Sequence, residues 1–94
     1  MDTRPSLDLL ESTHLFPGVY RIKAIGITDE NFEARALEIV VSQLASPSEL
    51  DYTARTTPGG RHIAITMDVT VQNAQQVREI YAALGELKGL TLLF

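Results

Sequence analysis

From Val19 to Gly26 apolar and polar residues alternate. Tyr20, Ile22 and Ala24 fall on one side and Arg21 and Lys23 on the other, the two-residue period of a half-buried strand. Beyond Asn31 the period lengthens: Phe32, Ala36, Ile39, Val40 and Leu44 recur at helical spacing. Leu37 and Val41 widen that stripe, and Glu33, Arg35, Glu38 and Gln43 lie toward its edges or outside it. The spacing predicts a first helix over about residues 29 to 45, capped by Thr28 or Asp29 and stopped at Ser46-Pro47-Ser48. Asp29 and Glu30 in its first turn carry the sign that suits a helix N-terminus. Asp51 to Thr57 is rich in Tyr and Thr, and Gly60 to Val69 alternates again. Between them Thr57-Pro58-Gly59-Gly60 suits a tight turn, so the two runs form a hairpin. Asn73 with Gln76 three residues on has the form of a capping box. It opens a second amphipathic helix along Val77, Ile80, Tyr81, Leu84 and Leu87 that ends near Lys88-Gly89, and Leu90 to Phe94 makes a last short apolar strand.

The order is β-α-β-β-α-β. Right-handed crossovers in both halves then predict an α+β, ferredoxin-like split sandwich: a four-stranded antiparallel sheet of order 4-1-3-2 with two helices on one face. If Tyr20, Ile22, Ala24, Ile63, Ile65 and Met67 meet the helices, then Arg21, Lys23, His62, Ala64, Thr66 and Asp68 line the opposite face of the two central strands. Residues 1 to 18 read as a lead-in segment. Pro5, the breaker pair Pro17-Gly18 and one short helical turn capped by Ser6 separate it from a single domain over 19 to 94.

Composition narrows the function classes. Ninety-four residues support one core, and 45% hydrophobic with 21% charged residues is an ordinary globular balance. With no cysteine, disulfides, thiolate catalysis and Cys-based zinc sites are excluded. The formal charge of -4 argues against general nucleic-acid affinity or an anionic membrane surface. Met1 to Pro5 lacks a secretory layout, and no apolar run approaches the roughly 20 residues of a membrane span, so the expected location is the cytoplasm.

The two histidines, His14 in the lead-in and His62 in a strand, have no ligand spacing around them, and no metal or other cofactor is expected. No catalytic residue is assigned. Acylphosphatase-type chemistry needs an arginine-bearing loop after the first strand, where this chain has Ile25-Gly26-Ile27-Thr28-Asp29-Glu30-Asn31. An RNA-recognition surface needs stacking aromatics where Arg21, Lys23, His62, Ala64 and Thr66 stand. Two candidate sites remain. Arg21 and Lys23, with Arg55 on the neighbouring edge strand and His62, form a modest anion-binding patch or a merely solvated face. The loop Gly26, Ile27, Thr28 and Asp29 offers backbone N–H groups before a helix, approachable because Gly26 has no side chain.

Phe16-Pro17, Tyr20-x-Ile22-Lys23-x-x-Gly26, Asp51-Tyr52-Thr53, Gly60-x-His62-x-Ala64-Ile65-Thr66, Gln76-Val77-x-x-Ile80-Tyr81-x-x-Leu84-Gly85 and Leu92-Leu93 give the chain its likeness to a family. Over about residues 15 to 94 it resembles the YbeD-like family of small uncharacterised bacterial proteins. That resemblance implies the same layout, similar to the ACT domains that bind amino acids and control metabolic enzymes. It places Gly26-Ile27-Thr28-Asp29 where those domains carry a ligand loop, and it brings no catalytic residue.

The expected function is a non-enzymatic regulatory or interaction module that binds a partner protein or a small metabolite. The alternative is a minimal enzyme acting on an anionic substrate through Arg21, Lys23 and His62. Self-association is open to the chain through its uncovered edge strand, Asp51 to Thr57, or through the open sheet face, giving a homodimer.

Overall fold

The computed structural model describes residues 6, 7, 9, 10, 15–28 and 31–94. The elements run β1 (Gly18–Ile27), α1 (Phe32–Ser42), a 3₁₀ turn (Pro47–Glu49), β2 (Leu50–Thr56), β3 (His62–Val71), α2 (Ala74–Gly85) and β4 (Leu90–Leu93). The strands form one sheet in the order β2-β3-β1-β4, every neighbouring pair antiparallel. This is the ferredoxin-like split sandwich that the alternating pattern predicts.

Register explains which residues are buried. Ile22 faces Met67 and Ala24 faces Ile65, and all four are fully buried against the helices together with Val69 and Val71. Arg21 faces Asp68 and Lys23 faces Thr66 on the other side of the same strands. Phe32, Ala36 and Val40 close the core from α1, and Val77, Ile80, Tyr81 and Leu84 close it from α2. The Tyr81 ring meets Tyr20 edge-on, with centroids 6.2 Å apart and the ring planes 84° from each other. Burial, and then the neighbouring Tyr20 phenol, push the Tyr81 hydroxyl well above the ordinary tyrosine range.

The first helix departs from the expected 29 to 45 at both ends. It starts at Phe32 behind Asn31, whose φ of 67° is left-handed and which makes no side-chain cap. Thr28 is not available as the cap, because its N–H donates to the Arg61 carbonyl (3.0 Å) and its hydroxyl donates to the Gly60 carbonyl. Asp29 and Glu30, expected in the first turn, lie outside the described residues. The far end closes early. The Ser42 hydroxyl donates back to the Ile39 carbonyl, and the Gln43 and Leu44 N–H groups donate to Val40 and Val41. Ser46-Pro47 then opens the 3₁₀ turn rather than only ending a helix, with Ser46 as its cap and the Glu49 side chain accepting from the Ser46 N–H.

The hairpin turn holds Gly59 and Gly60 at φ 90° and 74°, a region that favours glycine. Asn73 caps α2 as predicted, accepting from the Gln76 N–H at 2.8 Å. The reciprocal half of the box differs: Gln76 Oε1 accepts from the Gln72 N–H at 2.7 Å, while its Nε2 donates to the Gln43 carbonyl at 3.0 Å. One side chain thus fixes the start of α2 and ties it to the end of α1.

In the lead-in, Ser6 caps a helical turn as expected. Its hydroxyl accepts from the Leu9 N–H and its carbonyl from the Leu10 N–H. Leu10 is 1% exposed and belongs to the core.

Candidate functional site

Both helices cover one face of the sheet, and among the described residues the other face carries no helix. Its side chains follow from register as rows running across the strands. One row holds Arg21, Asp68 and Asp51 on β1, β3 and β2, and the next holds Phe94, Lys23, Thr66 and Thr53. A third holds Leu92, Ile25, Ala64 and Arg55, and the last pairs Ile27 with His62.

Arg21 is not a free cation. Its Nε and Nη2 donate to the two Asp68 carboxylate oxygens at 2.8 and 3.0 Å, a bidentate pair. The hydrogen bond from Arg21 holds the Asp68 carboxyl below its ordinary range, and the same bond raises the Arg21 guanidinium. Lys23 stands over the Phe94 ring, with Nζ 5.8 Å from the centroid. Strand pairing extends that far, since the Phe94 N–H donates to the Lys23 carbonyl at 2.9 Å. A shallow depression of about 430 Å³, lined by Lys23, Thr53, Ala54, Arg55, Ala64 and Thr66, brings Lys23 and Arg55 to one place.

His62 is not part of that place. It is six residues along β3 from the Arg21–Asp68 row, a separation of about 20 Å at strand rise. Arg21, Lys23 and His62 therefore do not converge on one small anionic substrate.

The loop after β1 is built differently from the sequence expectation. A Cβ at Gly26 would stand 2.2 Å from the Phe32 ring, so the missing side chain makes room for a core aromatic rather than for a ligand. The Ile27 N–H donates to the Gly89 carbonyl at 3.0 Å and the Thr28 N–H to Arg61, so neither is open to a ligand. Asp29 lies outside the described residues. Beside Thr28 a surface groove of about 480 Å³ runs between the start of α1 and β2, with Phe32, Leu37, Tyr52 and Ile63 as its apolar walls. No group of three or more metal-ligating side chains comes together among the described residues.

Reading the sequence for charge missed the apolar half of the open face. Leu92 is 53% exposed and Phe94 57%, Ile27 is exposed at the same end of β1, and Val19 is 68% exposed at its other end. The signal was present: in the run Leu90-Thr91-Leu92-Leu93-Phe94, apolar but for Thr91, an edge strand must turn alternate residues away from the core.

A family model described as a protein of unknown function (DUF493) matches residues 11–93. The chain belongs to the DUF493 family. Its relatives include a UPF0250 protein of Shewanella sediminis, 31% identical over 75 residues that cover 80% of this chain and 83% of that protein. Another, from Chromobacterium violaceum, is 32% identical over 69 residues, 73% of this chain and 78% of the relative. These bear out the resemblance to small bacterial proteins of the YbeD-like kind, and a DUF493 assignment brings no activity with it. No solved structure matches the chain. No helix among the described residues is long and apolar enough to cross a membrane.

Proposed function

We propose that this DUF493 protein is a non-enzymatic, cytoplasmic interaction module whose open sheet face docks a partner protein. The observation that supports this reading is the division of that face: Ile25, Leu92 and Phe94 form an apolar strip on β1 and β4, beside the cationic depression at Lys23 and Arg55. A soluble surface leaves large apolar side chains scattered, whereas a strip bordered by charge suits a protein contact. The matching partner segment presents apolar side chains flanked by a carboxylate, which meets Lys23. Affinity capture with the wild-type chain and with Leu92→Ser tests this. A partner held by the first and lost from the second supports the reading, and equal retention by both contradicts it.

A second reading rests on the groove beside Thr28. Its apolar walls and its size suit a small metabolite, which fits the regulatory role implied by the ACT-like layout. Stabilisation by one amino acid in a thermal-shift screen, lost in Leu37→Asp, would favour it. No shift with any of them would leave the open face as the site.

A further inference from the structure

The outer edge of β2 carries an unused pair of charges. Asp51 and Arg55 lie on the same strand four residues apart, and both point to the open face, since they stand opposite Asp68 and Ala64 of β3. Among the described residues neither side chain has a hydrogen-bond or ion-pair partner. Asp51 faces a second carboxylate directly across the ladder, and that carboxylate is already claimed by Arg21. Like charges directly opposite are destabilising, so a cation beside Asp51 is what this row lacks.

Backbone geometry fixes which residues can pair on the free side. The Thr57 N–H donates to the His62 carbonyl, which makes Thr57 and His62 a hydrogen-bonded pair of the β2–β3 ladder. Hydrogen-bonded and non-hydrogen-bonded pairs alternate along an antiparallel ladder. Arg55, Thr53 and Asp51 therefore turn their backbone groups toward β3, while Leu50, Tyr52, Ala54 and Thr56 turn theirs outward.

We infer that β2 pairs with the β2 strand of a second copy of this chain, antiparallel about a two-fold axis through Thr53. In that register Tyr52 and Ala54 of each copy exchange backbone hydrogen bonds with Ala54 and Tyr52 of the other, using the outward groups. Asp51 of one copy meets Arg55 of the other, twice, at non-hydrogen-bonded positions where side chains approach most closely. Sliding the register by two residues in either direction removes both ion pairs while keeping the backbone bonds, so the charges select the register. Tyr52, exposed on the helix side, then lies over Ala54 of the second copy and diagonally across from its Tyr52. The product is a continuous eight-stranded sheet with all four helices on one side. This inference is independent of the proposed partner, because it concerns the purified chain alone.

Sedimentation equilibrium of purified protein tests it, with circular dichroism to verify folding. Wild type should approach twice the single-chain mass of 10.4 kDa as concentration rises. Arg55→Asp and Asp51→Arg should each remain single chains, since each places like charges opposite one another. Mixed in equal amounts they should recover the dimer, because each then supplies what the other lacks. Where a single variant fails to fold, the chain carrying both substitutions should dimerise by itself. A wild type that stays a single chain at every concentration, or a dimer unchanged by Arg55→Asp, overturns the inference.

Discussion

The Phe32 ring occupies the place where a side chain at residue 26 would stand, its nearest atom 2.2 Å from the position a Cβ would take. Strand β1 and the start of helix α1 thus meet in close contact, a glycine under an aromatic ring. Gly26→Ala should force the ring aside and destabilise the fold by about 1–3 kcal/mol, the range for overpacking a filled core. Chemical denaturation measures this, and Phe32→Leu in the same chain should recover part of the loss.

Gln76 serves two elements through one amide. Gln76→Ala removes the acceptor for the Gln72 N–H and the donor to the Gln43 carbonyl, and should cost about 1–2 kcal/mol. Gln76→Glu keeps the acceptor and loses only the donor, so a melting temperature between those of wild type and Gln76→Ala is the expected result.

Leu10 carries the first segment into the core. Leu10→Ala should destabilise by about 2–5 kcal/mol, whereas Leu9→Ala, at an exposed neighbour, should be nearly neutral. Thermal unfolding of the two variants separates these outcomes, and equal effects would contradict the packing described.

The acid limb of stability should report the Arg21–Asp68 pair. Asp68 is held below its ordinary range by the hydrogen bond from Arg21, so its contribution is present above the unfolded carboxylate value and is lost as pH falls through the depressed one. The difference in melting temperature between wild type and Asp68→Asn should be steady near neutrality and shrink below about pH 4. Because the pair is exposed the difference is small throughout, and salt should reduce it further.

Periodicity carried most of the fold. Alternation along Val19–Gly26 and Gly60–Val69 and the helical stripes at Phe32–Leu44 and Val77–Leu87 gave the element order and the buried face, because a side-chain period of two or of 3.6 leaves few arrangements of one core. The start of α1 was less legible. Thr28 is drawn into the hairpin turn by a contact 32 residues away, which no local capping pattern contains. Leu10 was equally hidden, since Leu7, Leu9, Leu10 and Leu15 in a proline-flanked segment follow no period that sets one of them in the core. On the candidate surface the cations were visible as residue types, yet their roles depend on register. Arg21 is spent on Asp68, Lys23 lies over Phe94, and only Arg55 is left facing the edge. The apolar strip became apparent once β4 was set beside β1, which put Leu92 next to Ile25 and Phe94 next to Lys23.

The most direct test of the open face as the binding surface is photocrosslinking in living cells from a benzophenone amino acid at position 92, compared with the same group at Ala82, which is exposed on α2. A discrete crosslinked partner from position 92 and none from position 82 is the predicted result. No partner from position 92, or the same products from both positions, would contradict it.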